Sequence, residues 1–224
     1  MRKGDCFIDI GSNYGHYAIF AARCVGPTGF VHAVEPHPNL AKLLENYTNQ
    51  KNLSPIKIYH FALGNDEGQI TLRVNPNHIG ASTVRFNDSD MAKNNGFIIE
   101  YTVPMHKLDN ITELKGDPQK TLVKIDVEGH EPAVLRGAID TLKNNVGCVY
   151  IEISPDWISG QKGVVDLFSD MENLGFSGFR MPEKLTKDFS LISITPNSIQ
   201  TQTNVVFAKY DFINERNISV INLK

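Results

Sequence analysis

Short apolar runs that stop at an acid or a glycine turn, each followed by a stretch of helical periodicity, recur along this chain, and that alternation leaves few folds open. Phe7 to Ile10 and Phe30 to Val34 are β-branched or aromatic runs. Between them, over Tyr14 to Val25, apolar residues fall at helical spacing: Tyr17, Ala18, Ala21, Ala22 and Val25. Pro38 to Gln50 predicts a second helix through Leu40, Leu43, Leu44 and Tyr47, and Ile56 to Phe61 alternates as a third strand. Later, Thr121 to Val127 is a near-continuous apolar run, and Glu131 to Lys143 is helical by Val134, Leu135, Ala138, Ile139 and Leu142. Cys148 to Ile153 reads as another strand, Val164 to Leu174 as a helix, and "NVVFAKY" (Asn204 to Tyr210) as a late strand. Continuous apolar strands between amphipathic helices predict a parallel sheet covered on both faces, so the expected class is α/β, a doubly wound Rossmann-like sheet.

The 224 residues suit one domain, 1–224, with a loop or lid insertion at 75–96 and a C-terminal extension at 211–224. Gln69 to Val74 and Phe97 to Val103 read as strands flanking that polar, turn-rich insertion, whose centre, Ser82 to Asn95, is the expected acceptor-binding element or lid. The formal net charge of -3 argues against nucleic acid as partner. Cys6, Cys24 and Cys148 have no metal-binding spacing and read as reduced core thiols of a cytoplasmic protein. No window approaches the roughly 18 apolar residues of a membrane span. Met1 to Asp5 leads straight into a strand rather than a signal peptide, and so abrupt a start is compatible with missing upstream residues.

Ligands of an open parallel sheet bind beyond the carboxyl ends of its strands. At the first such end stands "FIDIGSNYGHY", in which Asp9, Gly11, Ser12, Asn13 and Gly15 form the predicted cradle. Asn13 occupies the place of the second glycine in a dinucleotide fingerprint, which disfavours a pyrophosphate. An adenosine carrying an amino acid fits better: glycines permit close backbone approach, turn N–H groups bind a carboxylate, and Asp9 accepts from an ammonium. Glu35 ends the second strand, where a carboxylate takes both ribose hydroxyls as donors. Pro36 is placed to wall one side of an adenine, and Phe61 or Ala62 in "HFALG" to pack against it.

The centre of the sheet carries "LVKIDVEGHEPAVLRGA", which puts Asp126, Glu128, His130 and Glu131 between an apolar strand and a helix. Asp126 faces the reactive end of a ligand lying across the strand ends, and Glu152 in "YIEIS" approaches the same crevice. A general base for an alcohol can come from this set. A divalent metal is a weaker alternative, and Glu131 alone needs no role beyond offsetting a helix dipole. His106 in "VPMHKLDNI" reads as a surface histidine before a helix capped by Asp109.

Taken in order, "IDIGSNYGHY", "VHAVEPHP", "FALGNDEG", "LDNI", "VKIDVEGHEPAVLRGA" and "IEIS" resemble the FkbM family of S-adenosylmethionine-dependent methyltransferases, from about Phe7 through Ser154. The resemblance implies a class I methyltransferase fold with a seven-stranded, mostly parallel sheet and a reversed late strand. It implies S-adenosyl-L-methionine as cofactor and O-methylation of a hydroxyl on a sugar, glycan, lipid or secondary metabolite. Asp9, Gly11, Asn13 and Gly15 match the family's first motif, Glu35 its ribose-binding acid, and Asp126, Glu128, Gly129 and Glu131 its central motif. His106 departs from the small hydroxyl residue usual before "LD". For such a transfer Asp126 is the first choice of base and His130 the second, with Glu128 and Glu152 orienting the acceptor or a neighbouring base; no metal ligand is assigned. The competing readings are an NAD-dependent oxidoreductase on the same fold, a nucleic-acid methyltransferase, and a non-catalytic S-adenosylmethionine-binding module. Oligomeric state is not legible.

Overall fold

The computed structural model describes residues 1–51, 53, 55–75, 99–114, 116–183 and 190–222, without the side chain of residue 157. The elements of the first half are β1 (Cys6–Ile10), α1 (His16–Val25), β2 (Phe30–Val34), α2 (Pro38–Gln50), β3 (Ile56–Tyr59), β4 (Ala62–Leu63), β5 (Gly68–Val74) and β6 (Ile99–His106). There follow β7 (Thr121–Ile125), α3 (Glu131–Arg136), α4 (Ile139–Asn145), β8 (Cys148–Ile153), α5 (Gly160–Asn173), β9 (Ser177–Arg180), β10 (Ser190–Ser193), β11 (Thr203–Ala208), α6 (Tyr210–Glu215) and β12 (Ser219–Ile221).

The main sheet runs β12-β10-β9-β11-β8-β7-β1-β2-β3. Strands β3, β2, β1, β7 and β8 are mutually parallel, and β11 lies antiparallel to both β8 and β9. Ile8, Ile10, Val31, Ala33, Val34, Val123, Ile125, Val149 and Ile151 are buried, because helices cover both faces of these strands. Chain direction across the sheet reverses between β1 and β7, so the first and fourth parallel strands open a crevice at their carboxyl ends.

The structure departs from the sequence expectations in particulars. Six strands of this sheet answer to runs read in the sequence, reversed β11 included; β9, β10 and β12 do not, and the sheet has nine described strands where the resemblance implied seven. The extension predicted at 211–224 thus contributes α6 and an edge strand. Arg216 further ties it to β1's approach: its guanidinium makes a buried two-pronged ion pair with Asp5, at 2.9 and 2.6 Å. The helix expected over Glu131 to Lys143 is two helices. A side chain at Gly137 would meet the Gly64 carbonyl oxygen at 1.8 Å, and the chain there abandons helical geometry to pack on that loop. Asp109 caps no α-helix of its own, since only two short 3-10 turns form there, Leu108–Asn110 and Thr112–Leu114. Its carboxylate accepts instead from the backbone N–H groups of Asp140 and Thr141, capping α4 across space. The third strand stops at Tyr59, which leaves Phe61 outside it.

A second sheet, β4-β6-β5, pairs β5 with β6 antiparallel and sets Leu63 and Leu72 over the strand ends. The predicted lid, Ser82 to Asn95, and all of 75–96 except Asn75 lie outside the described residues. Among the described residues no helix is long and apolar enough to cross a membrane.

Candidate active site

The β1–α1 turn is built for contact with its neighbours in the chain. Gly11 (φ 76°) and Gly15 (φ 80°) both occupy the left-handed region that favours glycine. A Cβ on Gly11 would stand 1.9 Å from the Asp126 carbonyl oxygen, and one on Gly15 would stand 2.2 Å from Leu44 Cδ1 of α2. The glycines therefore let β7 and α2 close on the turn, a reason different from the ligand approach that the sequence suggested. The Gly11 and Ser12 N–H groups both donate to the Val34 carbonyl. Ser12 is buried, and its hydroxyl donates to the carbonyls of Asp9 and Val34. Ser12 thus belongs to the frame that joins β1 to β2, while Gly11 and Asn13 line the crevice.

That crevice opens to solvent and spans about 640 Å³, open solvent included. Glu35, only 4% exposed, stands on its wall. Its Oε2 accepts from the Asn13 backbone N–H at 2.7 Å and its Oε1 from that of His37 at 2.8 Å. Burial pushes its carboxyl up to about 7, against the pull of those two N–H groups. Each oxygen keeps a further lone pair, so a fixed carboxylate remains able to accept two hydroxyl donors. Pro36, Leu40, Phe61, Ala62 and Leu63 supply an apolar wall beside it. Behind Phe61, the His106 ring lies edge-on at 4.8 Å and its Nδ1 sits 2.7 Å from Glu67 Oε2. His106 therefore buttresses the apolar wall and does not line the crevice.

The opposite end of the crevice is ionic. In-register pairing puts Asp9 of β1 beside Lys124 of β7, and Lys124 Nζ lies 3.5 Å from Asp9 Oδ1 and 3.2 Å from Asp126 Oδ2. Asp9 is fully buried and Lys124 4% exposed, with the Tyr17 ring of α1 over the ammonium at 4.9 Å. Burial pulls the Lys124 ammonium down, but Asp9 and Asp126 outweigh it and raise its pKa. Burial raises the Asp9 carboxyl to about 6 despite Lys124. Sequence reading missed Lys124. Its signal was present as a lone cation inside the apolar run "LVKID", which a solvated face does not explain.

Asp126, Glu128 and His130 all line the crevice. Glu131 is 2% exposed and its Oε1 accepts from the N–H groups of Val127 and Gly129, at 3.0 and 3.3 Å. It clamps the turn, a larger task than offsetting a dipole. Glu128 has φ 54°, and its carboxyl is raised to about 7 by burial first, then by Asp126, Glu152 and Glu131. Glu152 joins this group electrostatically from β8 but is not on the crevice wall. His130 is separate: burial and Arg136 lower its pKa, and its Nε2 is buried with no hydrogen-bond partner among the described residues. Among the described residues no three His, Cys, Asp or Glu are grouped to hold a metal ion.

A doubly wound sheet with reversed β11, and a crevice with an acid at the end of β2, define a Rossmann-like class I methyltransferase fold. The chain matches the methyltransferase FkbM domain over residues 9–181, and it belongs to that family. S-adenosylmethionine is the family's methyl donor. The chain is 28% identical over 152 residues to a hexuronic acid methyltransferase, AglP, of Haloferax volcanii, covering 68% of this chain and 57% of that protein. It is 26% identical over 162 residues to methyltransferase 1 of Beauveria bassiana, covering 66% of this chain and 65% of that protein. The chain thus spans less than two thirds of either relative. Among solved structures, the FkbM methyltransferase of Methylobacillus flagellatus aligns with a TM-score of 0.56 at 15% identity, over 93% of this chain and 44% of that one. At that identity the likeness is one of fold.

The residues fit the donor. S-adenosylmethionine has ribose hydroxyls, an adenine and two cationic centres. The crevice offers a braced carboxylate, an apolar wall and a cluster in which two aspartates outnumber one lysine.

Proposed function

We propose that the chain catalyses S-adenosylmethionine-dependent O-methylation of a hydroxyl on a sugar, glycan or secondary metabolite. The observation that carries this reading is the polarity of one crevice: a ribose-ready carboxylate, Glu35, at one end and a net-negative Asp9–Lys124–Asp126 cluster at the other. Glu35 would take the ribose hydroxyls, Pro36, Phe61 and Ala62 the adenine, and Gly11, Asn13 and Asp126 the methionine part. When bound, the donor supplies an electrophilic methyl on a sulfonium. Asp126, Glu128 and His130 are the titratable groups on the wall from which the acceptor's proton can be taken. Transfer from a cation to a neutral oxygen disperses charge, so alignment and exclusion of water carry much of the rate.

The Haloferax relative's name supports a sugar acceptor, and two of its features bear on the choice. A hexuronic acid presents several hydroxyls and one carboxylate. Three free cysteines, with the Cys6 thiol pushed up to about 11 and the Cys148 thiol to about 12 by burial, support a reducing, cytoplasmic setting. The dinucleotide alternative is disfavoured because the Asn13 N–H donates to Glu35 at the place where a pyrophosphate would need a glycine. Calorimetry with S-adenosylmethionine and with NAD, followed by S-adenosylhomocysteine release on a panel of hexuronic acids and their methyl glycosides, tests the reading. Binding of NAD in preference to S-adenosylmethionine would overturn it, and donor binding without conversion on any acceptor would favour a non-catalytic module.

A further inference from the structure

Two geometric features of the turn after β7 separate carboxylates that the sequence presents as equivalents. The first is the ion pair of Asp126. Its Oδ2 is engaged by an ammonium that is itself buried and held from the other side by Asp9. A proton delivered to Asp126 would break that bridge and leave Lys124 with Asp9 alone. Asp126 is thereby tied to Lys124 where it lines the crevice.

The second feature is the display of Glu128. This residue, with a full side chain, sits at φ 54°, in the left-handed region that disfavours residues other than glycine. Glu131 holds it there, because one buried carboxylate oxygen accepts from the N–H groups on both sides of Glu128, those of Val127 and Gly129. Strain kept in place by a dedicated clamp is characteristic of functional residues. Here it sets Glu128 on the crevice wall. Among the described residues, the charges that act on Glu128 include Lys124 of β7, Asp126 just beyond it, Glu152 of β8 and Glu131 of α3.

We infer that Glu128, rather than Asp126, takes the acceptor's proton, and that Lys124 and Glu131 are positioning residues that create this division. The inference rests on the methyl-transfer reading above. In the step, the hydroxyl oxygen bonds to the methyl carbon and the carbon–sulfur bond breaks with its electron pair left on sulfur. The hydroxyl proton passes to Glu128, so one cation and one carboxylate become a neutral thioether and a neutral acid. Asp126, tied to Lys124, takes no part in that proton transfer and receives the ammonium of the donor.

Carbon-detected NMR of side-chain carboxyls in the ligand-free chain tests the assignment without an acceptor. Glu128→Gln should remove a carboxyl that titrates near neutral pH, and Lys124→Arg should leave it in place. Lys124→Gln should move it upward, because a cation that favours the ionised form has gone. With hexuronic acid methyl glycosides as acceptors, Glu128→Gln should lower kcat by about 10²- to 10⁴-fold and flatten its rise with pH, at nearly unchanged donor affinity. Asp126→Asn should mainly weaken donor binding by calorimetry. The inference is overturned if the carboxyl resonance lost in Glu128→Gln is not one that titrates in the neutral range, where Glu35 also titrates, or if Asp126→Asn removes turnover while donor affinity and the Glu128 variant's activity are both retained. Failure of the wild-type chain to bind S-adenosylmethionine would remove the methyl-transfer reading itself, and the inference with it.

Discussion

The two ends of the crevice hold their acids by different means. Glu35 is braced by backbone N–H dipoles from Asn13 and His37, whereas Asp9 and Asp126 are braced by the full charge of Lys124. Dipoles orient a carboxylate without neutralising it, so Glu35 keeps its capacity to accept neutral hydroxyls. A single cation gathers two aspartates around it, an excess of acid that suits an end that must meet positive charge. The difference teaches that a recognition carboxylate and an electrostatic one can be told apart by what holds them, although both read as "acid at a strand end" in the sequence.

The harshest way to break the comparison is at the ionic end. Lys124→Met leaves Asp9 fully buried beside no cation, and truncating one partner of a buried pair costs about 3–5 kcal/mol. Urea unfolding should show that loss, and Lys124→Arg should recover much of it. At the dipolar end, Glu35→Gln leaves the fold in place and weakens a charge-assisted contact. Donor affinity measured by calorimetry should fall by about 1.5–3 kcal/mol, or roughly 10- to 150-fold.

A finer test uses pH. The folded Glu35 titrates at about 7 against an ordinary 4.5, so between those values the folded chain holds a proton that the unfolded chain has released. Stability from this group is therefore present at low pH and is lost as pH rises from 4.5 through 7. Glu128 acts in the same direction over the same window, and Asp9 between 3.8 and about 6. Ribose hydroxyls favour the ionised Glu35, so donor binding should release a proton and tighten about tenfold from pH 6 to pH 8. Calorimetry in buffers of different ionisation enthalpy measures that proton, and Glu35→Gln should abolish Glu35's share of it. The smallest effect belongs to Tyr17→Leu, which strips an aromatic face from Lys124 and should cost about 0.5–1 kcal/mol in the same urea series.

Much of the candidate site was legible because strand ends are punctuated locally. Asp9, Glu35, Asp126 and Glu128 each stand where an apolar run stops, and Pro36, Phe61 and Ala62 follow such stops; the described crevice gathers all of these except Asp9, which lies behind its wall. Ser12 and Glu152 were named with them but sit off the wall, Ser12 because its hydroxyl is committed to two carbonyls. Helix boundaries failed where a distant contact intervened. Periodicity runs unbroken from Glu131 to Lys143, but the Gly64 carbonyl and the Asp109 carboxylate divide the segment into two helices. Strands β4, β9, β10 and β12 were missed for a different reason: at two to four residues each, they are too short for an alternation to be read.

By itself, then, the amino-acid order determined the alternation of strands and helices, the family, and the row of acids and glycines at the sheet's carboxyl edge. Hydrophobic period and turn chemistry act over a few residues, and they need no partner from afar. Tertiary structure alone decided what those residues do for one another. It set Lys124 between Asp9 and Asp126 by register across β1 and β7, gave Gly11 and Gly15 to backbone and helix contacts, and set Glu131 to hold Glu128 in the crevice. Buried charge must be compensated by whatever the fold brings near, and in this chain the nearest compensation comes from a strand more than a hundred residues away.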